Sequence, residues 1–446
     1  MATAAAWLEP RHDERVVLED VTVQGHIHGL TAEIVLNQTY RNREERNIEA
    51  VYTFPLPLDA VLLELSLTLN GETLKGAVLA RPEAEETYED AVDEGHSAVL
   101  LERAAPGLYT VNVANLMAGE TATIRIRYAQ LLRWQGKQLR FQLPTTVAPR
   151  YGAAIRAGLQ PHQVPEIDAL SGARFRLDLS VTGSLSELPV ASPSHSIQVL
   201  PKSDSCVVSL AGNADILDRD FVLNFSGNAE AKSDGAWAQD GERYVALASF
   251  RLPPRATDVT NPRNLIVVID CSGSMAGDSI AQAKMAVQGI LTALEPADTF
   301  NIIAFGSSHI TLFPEPLRAT AQNIESARSK VAALDADLGG TEMADALRAA
   351  YKQARHGAKG TNVLLISDGE VWDDGSLEAD AIQAGARVFT VGVGSAVAES
   401  TLTQLSEATG GVSEFIVPRE DMAEKITRHF ARIDQPITTH AQLTWP

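Results

Sequence analysis

Two kinds of hydrophobic pattern follow one another along the chain. From Val16 to Leu143 apolar and polar positions alternate, as in Ala32, Ile34, Leu36 and Tyr40, or Leu63, Leu65, Leu67 and Leu69 before the turn Asn70-Gly71, or Ala122, Ile124, Ile126 and Tyr128. A period of two punctuated by Asn-Gly predicts antiparallel strands with one buried and one wet face. Residues 81–91 interrupt the alternation. They are rich in helix formers, carry Pro82 near their start and stop before Gly95, which predicts one amphipathic helix. After a Gly/Pro connector at 150–170, alternation resumes at Phe175, Leu177, Leu179 and Val181 and continues through 197–200, 206–210, 221–225 and 244–250. Residues 228–241 are polar and read as a surface loop, and the proline-bearing stretch 253–264 reads as a linker.

From Asn264 the pattern changes. Short apolar runs at 265–270, 299–305, 362–367, 386–393 and 412–417 alternate with helical spacing, first in Ile280, Ala283, Val287, Leu291 and Leu294. Further helical runs span 321–334, 342–355, 376–384, 398–408 and 421–433, and 309–313 reads as an antiparallel edge piece. Such alternation predicts a doubly wound, Rossmann-like α/β domain, its mostly parallel sheet covered on both faces. Residues 437–446 return to β alternation, and are expected to leave this domain and join the second β region. The expected organisation is therefore multidomain: a β-sandwich with one helix at 16–149, a second β-sandwich region at 171–252 plus 436–446, and an α/β domain at 262–434 inserted before the returning strand. A strand at the very end of the sequence also suggests that the natural chain continues.

Composition narrows the function classes. At 446 residues more than one core is expected. A formal net charge of −20 and the lack of any basic run argue against nucleic acid or an anionic membrane as partner. No apolar stretch approaches the roughly 20 residues that span a bilayer. The two cysteines, Cys206 and Cys271, form no disulfide framework, and residues 1–11 do not read as a signal peptide. The cytosol is thus the default location, with an extracellular one expected if the sequence is trimmed.

Candidate chemistry gathers where the apolar run Leu265–Ile269 ends in Asp270-Cys-Ser272-Gly-Ser274. Ligands bind open α/β sheets at the carboxyl ends of strands. Ser272 and Ser274 can turn two hydroxyls to one point, Thr341 of Gly339-Gly-Thr341 can approach from another loop, and Asp270 and Asp368 end strands. Five such oxygen groups suit a hard cation, Mg²⁺ or in its place Mn²⁺ or Ca²⁺. Hydroxyls donate little charge, so a bound ion keeps attraction for an anion, most simply a partner's Glu or Asp. Asp278 reads as a helix cap, Cys271 as an inward-packed residue, and Glu370, Asp373 and Asp374 as a solvated loop.

These five positions resemble the metal-ion-dependent adhesion site of the von Willebrand factor A (VWA) domain, a resemblance covering roughly 264–434. It implies a central parallel sheet with one antiparallel edge and cation-dependent protein binding. Tyr52-Thr-Phe54-Pro-Leu-Pro57, Glu83-Ala84 with Tyr88 and Ala91, Glu94-Gly95-His-Ser-Ala98, and Asn115-Leu116 with Gly119-Glu120 resemble the VIT domain. VIT followed by VWA is similar to the heavy chains of inter-α-trypsin inhibitor and their bacterial and cytosolic relatives.

The expected function is a non-enzymatic binding module. The alternative is a scaffold subunit whose metal only stiffens loops. A hydrolase is disfavoured: the segment holds only His309, His356 and His429 as potential bases, and no Gly-x-Ser-x-Gly elbow, paired zinc ligands or P-loop. The oligomeric state is left open.

Overall fold

The computed structural model describes residues 4–5, 8–10, 16–69, 71–76, 84, 87–90, 99–105, 107–135, 137–147, 174–217, 219–227, 234–249, 262–356, 360–368, 376–394, 397, 399–417 and 420–434. The chain divides into two compact units, Ala2–Leu252 and Pro253–Pro446. No described helix is long and apolar enough to cross a membrane.

The first unit is built of β-sheets. Its largest sheet has nine strands, with Val16–His28 and Thr31–Asn42 near its middle and Thr121–Leu131 and Val61–Leu69 to one side. To the other side lie Arg174–Thr182, Ser205–Leu210 and Ile197–Pro201. Alternation does its expected work: Ile34, Ile126 and Tyr128 point into the core, while Glu33 and Arg127 stay on the wet face.

The expected division at 149/171 does not follow the strand pairing. Arg174–Thr182 runs parallel to Val16–His28, and Phe221–Ser226 pairs with Gln138–Leu143. Residues from both segments, such as Ile126 and Phe175, share one hydrophobic cluster. Alternation tells which face of a strand is buried; it does not tell which strand lies alongside, so one woven unit looks like two in sequence.

Three further expectations meet the structure here. Of the helix at 81–91, Ala84 and residues 87–90 are helical and the remainder lies outside the described residues. The loop expected at 228–241 is corrected: Asp234–Asp240 is a strand paired with Arg243–Ser249. Its Gly, Ala and Gln positions lack an apolar alternation, and the cross-strand ladder forms it instead. The returning strand at 437–446 lies outside the described residues.

The second unit is the doubly wound α/β domain. Its strands are β1 (Asn264–Asp270), β2 (Thr299–Phe305), β3 (His309–Thr311), β4 (Leu317–Arg318), β5 (Asn362–Ser367), β6 (Arg387–Val393) and β7 (Ser413–Ile416). Its helices are α1 (Asp278–Ala293), α2 (Ala321–Ala332), α3 (Met343–His356), α4 (Leu377–Ala384), α5 (Glu399–Ala408) and α6 (Met422–Phe430). The sheet order is β3-β2-β1-β5-β6-β7, with β4 also pairing β2. Pairs β1–β2, β1–β5, β5–β6 and β6–β7 are parallel, and β3 and β4 are antiparallel to β2.

Strand β1 explains why an unbroken apolar run was needed. Leu265, Val267 and Ile269 join the core on one face, with Val287 and Ile290 of α1 and Ile426 of α6. Ile266 and Val268 join the core on the other, with Leu347 and Tyr351 of α3 and Leu402 of α5. Helices bury both faces, so the stretch Leu265–Ile269 between Asn264 and Asp270 is wholly apolar. The chain passes from β1 to β2 on one side and later to β5 on the other. The gap between β1 and β5 is thus the topological switch point, the usual place for a ligand in such sheets.

Candidate functional site

Asp270 is fully buried at the carboxyl end of β1. One carboxylate oxygen accepts the Ser272 N–H at 2.8 Å. The other accepts the Ser367 hydroxyl at 2.5 Å, reaching across to the last residue of β5. Burial raises the Asp270 pKa above the ordinary carboxylate value, and the bonds from Ser272 and Ser367 partly offset this.

From Asp270 the chain enters a short turn that lifts Ser272 and Ser274 over the sheet edge. The Met275 N–H donates to the Ser272 carbonyl at 3.1 Å, closing that turn. The Ser272 and Ser274 hydroxyls are 3.0 Å apart, and the Ser274 hydroxyl donates to Asp368 Oδ1 at 2.9 Å. Ser272 is buried, whereas Ser274 is exposed at the rim. Asp368, the first residue past β5, has its carboxyl pKa pushed up to about 6, first by burial and then by the nearby charge of Asp270. Four of the five residues read from the sequence are thus joined in one hydrogen-bonded set at the switch point.

Thr341 arrives on a separate loop, half-buried. That loop is pinned by backbone bonds: Leu338 N–H to the Cys271 carbonyl at 3.0 Å, and Gly273 N–H to the Gly339 carbonyl at 3.0 Å. The Glu342 N–H donates to the Gly306 carbonyl at 2.7 Å, and the Ser307 hydroxyl accepts the Gly340 N–H at 2.7 Å. Gly339 has φ 80°, a backbone conformation in which a side chain would be strained, so the Gly-Gly pair has a local cause.

Ser367 is the site residue that sequence reasoning missed. Its signal was present: a lone hydroxyl at the last position of Asn362-Val-Leu-Leu-Ile-Ser367, where all six residues are buried. Asp278 does not act as a side-chain cap; the N-cap of α1 is Gly277, and Asp278 contacts Gln282 one turn on. Cys271 is buried and its thiol is pushed up to about 12, chiefly by burial. Glu370, Asp373 and Asp374 lie outside the described residues.

The donor set decides which ion fits. Among the described residues no three His, Cys, Asp or Glu side chains gather around a point. The bonded set instead offers two carboxylates and two hydroxyls, with Thr341 on the adjoining loop, all oxygen, which suits a hard cation that keeps waters and does not suit zinc or copper. Two carboxylates joined through Ser272 and Ser274, both with raised pKa, form a locus of negative charge that a cation would relieve. The residues present therefore fit a divalent cation. Among the described residues no imidazole is bonded to these hydroxyls. Ser274 is bonded to Ser272 and Asp368, His309 is exposed on β3, and His429 is buried on α6 against Phe389 with its pKa lowered to about 3.

Residues 18–128 match the Vault protein inter-alpha-trypsin domain, and residues 263–415 match the von Willebrand factor type A domain. The chain is 27% identical to human von Willebrand factor A domain-containing protein 5A, over 97% of this chain and 59% of that protein. It is also 27% identical to human protein mono-ADP-ribosyltransferase PARP4, over 100% of this chain and 26% of that protein. The chain therefore spans less than two-thirds of the length of either relative. Among solved structures it is similar to a von Willebrand factor type A protein from Catenulispora acidiphila, at 23% identity and a TM-score of 0.36, covering 46% of this chain and 50% of that one. The chain thus joins a Vault protein inter-alpha-trypsin domain to a von Willebrand factor type A domain.

Proposed function

We propose that the α/β domain is a non-enzymatic, divalent-cation-dependent protein-binding module. In this reading Asp270, Ser272, Ser274, Thr341 and Asp368 hold Mg²⁺, or Mn²⁺ or Ca²⁺ in its place. The partner offers a Glu or Asp side chain. The observation that carries the reading is the bonded set Ser367–Asp270–Ser272–Ser274–Asp368 at the carboxyl edge of β1 and β5. When bound, the cation supplies a positive centre with a replaceable ligand position.

The chain's own residues set the selectivity of such a site. Ser272 and Thr341 contribute neutral oxygens, so little charge cancels that of the ion and attraction remains for an anionic group. Asp270 is held by Ser367 and the Ser272 N–H, which fixes its orientation before any ligand arrives. Ser274 lies exposed at the rim, where an approaching side chain would meet it.

Titration of Mg²⁺ and Mn²⁺ into chelator-treated protein, with Asp270→Ala as control, tests the metal. Retention of partners on the immobilised chain, with and without chelator, tests the binding role. Saturable metal binding lost in Asp270→Ala, together with chelator-sensitive retention, supports the reading. Equal metal response in both proteins overturns it. Retention that ignores chelator while the melting temperature drops leaves the scaffold alternative in its place.

A further inference from the structure

Histidines 26 and 28 are the only two of the ten in the chain that stand within three residues of each other. They lie on the strand Val16–His28 of the first unit, two residues apart and so on one face of the nine-stranded sheet. Their rings stand 6.2 Å apart, centroid to centroid, with planes within 9° of parallel. Both address one atom, the Thr182 hydroxyl on the neighbouring strand: His28 Nδ1 at 2.9 Å and His26 Nε2 at 3.3 Å. Thr182 is the register partner of His28 in the parallel pair, and Gly183 follows it with φ 73°. There the backbone folds closely over the ring: a Cβ on Gly183 would stand 3.4 Å from Cε1 and 3.5 Å from Nδ1 of His28. Opposite His26 across the antiparallel pair is Glu33, which Arg127 Nε holds at 2.6 Å.

We propose that His26 and His28 form a surface site for a transition-metal dication, Zn²⁺ by preference, with the Thr182 hydroxyl at its edge and water completing the shell. Two imidazole nitrogens converging from positions i and i+2 of a rigid strand form a chelate. Imidazole prefers zinc, copper and nickel over magnesium, so this site and the oxygen-only site of the α/β domain take different ions. Rotation of each exposed ring about its side-chain torsions turns one in-plane nitrogen of each toward a shared ion about 2.1 Å away. In the metal-free state the hydroxyl can donate to one ring nitrogen and accept an N–H from the other. Binding needs a lone pair on both facing nitrogens. Tautomer exchange moves the second ring's proton to its outer nitrogen and frees the facing lone pair. Glu33, opposite His26, is committed to the Arg127 guanidinium and leaves the ion to the two imidazoles.

The test uses the full chain carrying Asp270→Ala, which removes the oxygen site proposed above, so the two proposals fail separately. Zn²⁺ is titrated calorimetrically in the presence of excess Mg²⁺. One site per chain is expected, weakened at least tenfold by either His26→Gln or His28→Gln and unaffected by Mg²⁺. In parallel, Cu²⁺ at one equivalent serves as a spectroscopic probe, and electron paramagnetic resonance should count two equatorial nitrogens, falling to one in each variant. Should a variant fold poorly, the nitrogen count on the parent chain, together with broadening of the His26 and His28 ring resonances by Cu²⁺, still decides. Zinc binding of equal strength in parent and variants overturns the proposal. So does a parent spectrum with fewer than two nitrogens, or broadening confined to other histidines.

Discussion

The hydroxyl of Ser367 donates to the buried carboxylate of Asp270 at 2.5 Å, joining the ends of two adjacent parallel strands. These residues are 97 positions apart in sequence, yet the β1–β5 register brings them together at the switch point. Asp270 thus has an oriented carboxylate before any cation arrives. Replacing Ser367 by Ala should weaken Mn²⁺ binding by about 10- to 100-fold, the usual effect of losing such a supporting partner. Calorimetric titration at pH 7.5 measures it, and an unchanged affinity would show that Asp270 needs no support.

Asp368 should make the metal-free domain less stable at neutral pH. Its folded pKa of about 6 lies above the ordinary carboxylate value. A group shifted this way contributes its full stability below the unfolded pKa, and that contribution is lost as pH rises through about 6. Asp368→Asn should therefore raise the metal-free melting temperature at pH 7.5 by about 2–4 °C, corresponding to relief of about 1 kcal/mol in a domain this size. The same variant should lose the stabilisation that added Mg²⁺ gives the parent. Thermal melts of both proteins, with and without Mg²⁺, provide the check.

Cation affinity should depend on pH in the opposite sense. A protonated Asp368 competes with the ion, so Mn²⁺ affinity should fall about tenfold per pH unit below about 6 and level off above it. The raised pKa of Asp270 adds to the fall. A profile flat from pH 5 to pH 8 would remove both carboxylates from the site.

Gly306 controls the loop that carries Thr341. A Cβ there would stand 2.4 Å from both the Cβ and the carbonyl oxygen of Leu338, so something must shift. Gly306→Ala should push the 338–342 loop away from Ser272, weakening cation binding although no ligand is changed. The cost in stability should be about 1–3 kcal/mol, as for other overpacked positions. Denaturant unfolding together with Mn²⁺ titration separates the two effects.

Both cysteines should be inert in the native state. Cys206 and Cys271 are buried, and burial raises both thiols, that of Cys271 to about 12. A thiol reagent at pH 8 should label neither in folded protein and both in denaturant, as mass spectrometry would count. Native labelling of Cys271 would mean that the turn over β1 opens.

Sequence by itself determined the α/β domain nearly strand by strand, because a strand buried on both faces reads as a mostly apolar run and each helix shows its stripe. Four of the five candidate site residues, Asp270, Ser272, Ser274 and Asp368, then follow from where those runs stop, since a polar cluster at a strand end has nowhere to go but the sheet's edge. Only the tertiary structure decided what lies beside what. It put Ser367 onto Asp270, and fixed Thr341's loop through backbone bonds that involve no distinctive side chain. It wove residues 174–226 into the sheets of residues 16–143, erasing a boundary that composition had suggested. It also set His26 and His28 around Thr182, more than 150 residues away. Periodicity encodes which face of an element is buried; the choice of neighbour rests on hydrogen bonds and packing between segments distant in sequence, which no local pattern records.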